Sequence, residues 1–184
     1  LAYTEDNDKE ALPWALKAAE AGHLWGWHIV GDIYWNGRAV ERNLPYVIEC
    51  YKKTASYGND SYACRQLGRM YFNGWGTAVD YAQAVQWLER DKEPEYFKYD
   101  LLGICYLLGY GCRQDPARGK ALLEKSEESC YKSYGLGMMY AEGIGVREDI
   151  EKGVEHLKAA GNYEPAVEAL KHYRKSLFGV WRRK

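Results

Sequence analysis

Leu67-Gly68-Arg69-Met70-Tyr71-Phe72-Asn73-Gly74-Trp75-Gly76, followed by Asp80, Ala84, Trp87 and Leu88, is the stretch that decides the fold. Its first two glycines stand six residues apart, and the same pair recurs as Gly31 and Gly37, Gly103 and Gly109, and Gly137 and Gly143. Successive first glycines are 37, 35 and 34 residues apart, a period typical of stacked repeat architectures. A tyrosine follows each first glycine by three residues (Tyr34, Tyr71, Tyr106, Tyr140), and a mostly aliphatic residue precedes it (Val30, Leu67, Leu102, Leu136).

Each column has a physical reason. The aliphatic residue, the glycine and the tyrosine share one helical face, where the missing Cβ lets a second helix approach closely. Gly-x-Gly then ends the helix through the left-handed backbone that glycine adopts without steric cost. Asn43, Asp80, Asp115 and Asp149 fall where an N-cap belongs, ready to accept from the free amides of the next helix. Pro116, directly after Asp115, suits the first helical turn. Four and eight residues after the caps come a small or modest residue (Val47, Ala84, Gly119, Gly153) and a large apolar one (Tyr51, Leu88, Leu123, Leu157). The unit is helix, glycine turn, capped second helix.

Projected backwards, the frame puts a cap at Asn7, so residues 1–22 read as the second helix of a preceding repeat. Repeats follow at 23–58, 59–94, 95–128 and 129–162, and 163–184 reads as a capping helix with a basic tail. In that last helix Lys171 and Arg174 replace the expected glycine and tyrosine, as suits the polar end of a repeat stack. The expected fold is all-α: about ten helices stacked as antiparallel pairs in one domain.

The pattern Leu-Gly-x-x-Tyr-x-x-Gly-x-Gly, then Asp, Ala and Trp-Leu, resembles the Sel1-like repeat, a relative of the tetratricopeptide repeat. The copies at 67–88 and 136–149 carry the likeness best, and it extends over almost the whole chain. The resemblance implies a right-handed α-α superhelix whose first helices line a concave surface, and a role as an adaptor for proteins. It also implies, in cysteine-rich members, a disulfide clamp within each unit. Cys64 matches one clamp position here, but Ala55 or Ser56 occupies the place of its partner. A narrower reading is an immunity or inhibitor protein that binds one bacterial effector. The alternative from another class is a hydrolase of cell-wall or β-lactam-type substrates, for which the sequence supplies no nucleophile and base pair.

Composition narrows the partners. The 25 Lys and Arg against 26 Asp and Glu give a formal net charge of −1, too little positive charge for nucleic acid. The one basic cluster, Arg182-Arg183-Lys184, reads as a solvated tail. No run approaches the roughly 20 apolar residues of a membrane span. With 17 Tyr and 7 Trp against 3 Phe, most rings carry a polar handle suited to half-buried and contact positions. The five cysteines form no even framework and read as free thiols, although a Cys105–Cys112 bridge is conceivable. That favours the cytoplasm, with the periplasm or exterior as the alternative because the chain opens at Leu1 without Met.

No residue set points to catalysis, a metal or a cofactor. The histidines (His23, His28, His156, His172) lack ligand spacing, and every Gly-x-Gly lies at a helix C-terminus, the wrong polarity for a phosphate cradle. A partner, protein or extended peptide, would instead be met by columns the repeat leaves free, most simply on a monomer. Six residues before each first glycine stands an aromatic: Trp25, Tyr62, Phe97 and Tyr131. Helical spacing adds His28, Asp32, Arg65, Arg69 and Tyr134, and Trp35 and Phe72 follow the first glycine by four. Such rings suit interface hot spots, or equally pack between neighbouring helices.

Overall fold

The computed structural model describes residues 5–56, 60–93, 96–176 and 179–184. In them run helices α1 (Glu5–Glu20), α2 (Leu24–Asn36), α3 (Leu44–Ser56), α4 (Ser61–Asn73) and α5 (Tyr81–Arg90). They continue with α6 (Tyr96–Leu108), α7 (Pro116–Lys125), α8 (Cys130–Glu142), α9 (Ile150–Ala159) and α10 (Glu164–Leu170), then strands β1 (Tyr173–Lys175) and β2 (Trp181–Arg183). The chain forms two compact units, Leu1–Glu93 and Pro94–Lys184. In the first, α1 packs on α2, α2 on α3, α3 on α4 and α4 on α5; in the second, α6 pairs with α7, α8 with α9, and α10 covers α9. None of the described helices is long and apolar enough to cross a membrane.

The repeat columns become joints between helices. A Cβ on Gly68 would lie 2.4 Å from Leu88 Cγ, one on Gly103 2.7 Å from Leu123 Cγ, and one on Gly137 2.7 Å from Leu157 Cγ. The first glycine of each unit is thus the socket for the large residue eight positions after the cap. Turn geometry follows the same frame. Gly74 takes φ +70° and its amide bonds to Met70 O, closing α4. Asp80 Oδ1 then accepts from the Gln83 amide 3.0 Å away, while its own amide donates to Tyr71 O at 2.9 Å. The tyrosine column supplies that carbonyl in every repeat, since Asn43, Asp115 and Asp149 donate to Tyr34 O, Tyr106 O and Tyr140 O. Asn43, Asp115 and Asp149 also cap through their side chains.

Two terminal expectations are corrected. Asn7 lies inside a helix and does not open one: α1 already runs from Glu5 and carries Pro13 inside it. The basic end is not a solvated tail, because Trp181–Arg183 pairs antiparallel with Tyr173–Lys175. Tyr173 is buried, its hydroxyl donates to Glu142, and Arg183 donates to the Ala141 carbonyl at 3.1 Å. Arg183 also reaches Glu142 at 2.8 Å and Glu148 at 3.0 Å. Carboxylates and a carbonyl from α8 and the turn after it fix the hairpin in place.

Candidate functional site

The first unit gathers aromatic and acidic side chains from α2, α3 and α4. His28 on α2 stacks on Tyr62 of α4 with ring centroids 4.5 Å apart, and the tilted Trp25 ring lies 5.2 Å from His28. Asp32, one turn along α2, receives the Tyr51 hydroxyl at 2.6 Å and the Tyr62 hydroxyl at 3.4 Å on the same oxygen. Its second oxygen stands 3.4 Å from His28 Nε2. Tyr51 comes from α3, where it fills the Gly31 socket: a Cβ on Gly31 would sit 2.8 Å from its ring. The three rings and the carboxylate therefore lock three helices together.

Electrostatics follow from that packing. Burial pulls the His28 pKa down, but the bond to Asp32 and the charges of Asp32 and Asp60 outweigh it, leaving His28 above its ordinary 6.5. Asp60 caps α4 by accepting from the Ala63 amide, and its other oxygen lies 3.9 Å from His28 Nδ1. Burial, then the Asp32 charge, pushes the Tyr51 phenol far above its usual range. With its oxygens engaged by two phenols and an imidazole, Asp32 is a positioning group and an acidic lining.

His28, Asp32, Trp35, Asn36 and Tyr62 border a cleft of about 420 Å³. At its edge Trp35 meets Trp75 edge-on at 5.5 Å and carries the Arg42 guanidinium at 5.0 Å, while Arg69 covers Trp75 at 5.6 Å. Beside the cleft Trp25 is 68% exposed. Of the residues expected to meet a partner, Trp25, His28, Asp32, Trp35 and Tyr62 are brought together, with Arg69 at the rim.

The others serve packing. Arg65 is buried with its Nε 3.0 Å from Asp91, and a second nitrogen 3.4 Å from Glu93, an ion pair that holds the end of α5 to α4. Phe72 is buried against Tyr81. In the second unit Tyr134 is buried, and both it and the half-buried Tyr131 pack edge-on against Tyr163, which precedes α10. Phe97 lies on α6, with its side chain outside the described residues. So the aromatic column splits, exposed at Trp25 and packed between helices at Tyr62 and Tyr131. Sequence reasoning missed Tyr51 and Asp60. Tyr51 read as a packing residue because its column is otherwise leucine, and that break in the column was the available signal.

The remaining reactive groups lie apart. His156 stacks flat on Tyr140 at 5.8 Å, and burial followed by the Lys152 charge lowers its pKa. Cys50, Cys64 and Cys105 are buried, Cys112 is half-buried and Cys130 exposed, all as free thiols. Burial raises the Cys50 thiol to about 11, which keeps it protonated and unreactive at neutral pH. Among the described residues no group of three or more His, Cys, Asp or Glu side chains is arranged to hold a metal ion.

Family models place a Sel1 repeat at residues 3–23, 28–59, 61–90, 100–129 and 133–162. The chain belongs to the Sel1 repeat family. Solved relatives agree on the fold. A Sel1 repeat protein from Oxalobacter formigenes is 29% identical, with a TM-score of 0.58 over 89% of this chain and 68% of its own. A protective antigen of uropathogenic Escherichia coli strains that displays an SLR fold is 26% identical, with a TM-score of 0.62 over 84% of this chain. This Sel1 repeat chain spans only 34% of that antigen's length. Sel1 repeat proteins are generally non-catalytic modules for protein interaction, and the structure adds where this one departs from the shared frame.

Proposed function

We propose that this Sel1 repeat chain binds a partner protein or extended peptide over the Trp25–His28–Tyr62 face of its first unit. The observation that carries the reading is Trp25, a large ring left 68% exposed beside a cleft whose walls are fixed by hydrogen bonds. Exposed indole is costly to keep in water, and it is the side chain most enriched at interface hot spots. Pre-set walls lower the ordering cost of binding, because His28, Tyr51, Tyr62 and Asp32 already hold one another. A partner would cover Trp25 and place one side chain in the cleft.

Trp14 supplies an internal control, being 71% exposed on α1 with Lys17 over its ring. Capture from native cell extract by the intact chain should yield a specific partner whose recovery falls at least about tenfold with Trp25→Ala, a hot-spot-sized loss. Tyr62→Ala should weaken capture too, and Trp14→Ala should leave it unchanged. Equal capture by the wild type and Trp25→Ala would refute the assignment to this face.

A further inference from the structure

We propose that the outward face of the β1–β2 hairpin is a docking site for an acidic peptide segment, gripped by Arg174 and Arg182. The proposal stands apart from the Trp25 face and rests on the second unit alone. Residues 171–184 hold Lys171, Arg174, Lys175, Arg182, Arg183 and Lys184 and no Asp or Glu. The hairpin divides these cations between two faces. Arg183, opposite the buried Tyr173, turns inward and is satisfied by Glu142, Glu148 and the Ala141 carbonyl. Arg174 and Arg182 face each other across the ladder on the outward side.

Like charges directly opposite on neighbouring strands, about 5 Å apart at their Cβ atoms, repel and destabilise the pair. Both arginines and the adjacent Lys175 are exposed, and none of the three has an ion pair with a described residue. Arg174, Lys175, Ser176 and Arg182 border a concavity of about 320 Å³. Ser176 Oγ accepts from the Val180 amide at 3.2 Å, which leaves its hydroxyl proton free to donate towards a ligand. The inward face shows the chemistry that satisfies such a guanidinium in this hairpin, namely two carboxylates. The outward face offers two guanidiniums and a hydroxyl, and among the described residues of the unit no carboxylate pairs with them.

Carboxylates are the natural complement, because an arginine fork receives them bidentately. An extended peptide projects every second side chain to one side at about 7 Å intervals, so it can offer one carboxylate to each of the two long, repelling guanidinium side chains. The chosen ligand is therefore a strand with alternating Glu or Asp.

The test uses the full chain and a fluorescent peptide of six Glu-Ser repeats, read by anisotropy. Binding is expected for the wild type, and Arg174→Gln with Arg182→Gln should weaken it about tenfold or more, the scale of lost charge-assisted bonds. Arg113→Gln with Arg147→Gln, an equal change of charge on exposed turn residues of the same unit, should alter it less than about twofold. A second readout is thermal melting: the hairpin variant should melt no lower than the wild type without peptide and lose the rise in Tm that peptide gives the wild type. An equal loss in both double variants, or no binding by the wild type, would overturn the site. Stronger binding of phosphatidylserine vesicles or of a single-stranded oligonucleotide of equal charge, with the same arginine dependence, would overturn the peptide assignment.

Discussion

The first repeat and the third use the same frame and pack differently. Where Val47 stands four residues after the cap of α3, Gly119 stands in α7. A Cβ on Gly119 would lie 2.6 Å from the Leu107 amide nitrogen and 2.9 Å from the Gly103 carbonyl, so α6 and α7 meet backbone to backbone. Gly153 does the same in the fourth repeat, 2.5 Å from the Ala141 amide nitrogen. In the first repeat there is space for Val47, fully buried, and the socket opposite holds Tyr51 where the third holds Leu123. The looser joint admits a hydroxyl, and that hydroxyl brings Asp32 and His28 into one network. Side-chain volume at two columns thus separates a packing repeat from one able to present polar chemistry.

Exchanging the two columns should break the comparison most severely. Gly119→Val forces a branched side chain into backbone atoms and is expected to cost about 3 kcal/mol or more. Val47→Gly should cost about the same, by leaving a cavity and placing glycine inside a helix. Urea denaturation followed by circular dichroism measures both, and a Gly119→Val chain as stable as the wild type would show that the third joint is not tight.

A milder change tests the polar network. Tyr51→Phe keeps the ring in the Gly31 socket and removes one bond to Asp32, with an expected loss of about 1 kcal/mol. If Asp32 were already well solvated, the same measurement would show no loss.

The smallest expected effect is a dependence on pH. His28 has a raised pKa in the folded chain, so its charged form contributes stability that is complete below pH 6.5 and fades as pH rises through the folded value. Melting temperature should therefore decline above about pH 6.5 in the wild type, and His28→Gln should flatten that decline. An identical pH profile for the two proteins would remove His28 from the network.

Most of the fold was legible because the repeat states each requirement several times. Gly68 and Leu88 read as partners only because Gly103 with Leu123 and Gly137 with Leu157 repeat the offset. The ends were less legible, since a projected register says nothing about what precedes or follows the last turn. Asn7 lost its capping role to a longer α1, and the basic end became a strand once Glu142, Glu148 and the Ala141 carbonyl lay within reach of Arg183. The site was half legible. Trp25, His28, Asp32, Trp35 and Tyr62 were named from columns the repeat leaves free, but so were Phe72, Tyr134 and Arg65, which the core takes up.

The sequence by itself determined the helix-turn-helix period, the turns and the caps, because these depend on residues within a few positions of one another. Which aromatics stay exposed was decided only by the tertiary structure, since exposure depends on what neighbouring helices bring. Tyr163 covers Tyr131 and Tyr134, Tyr81 packs against Phe72, and Trp25, beside His28, is left facing solvent.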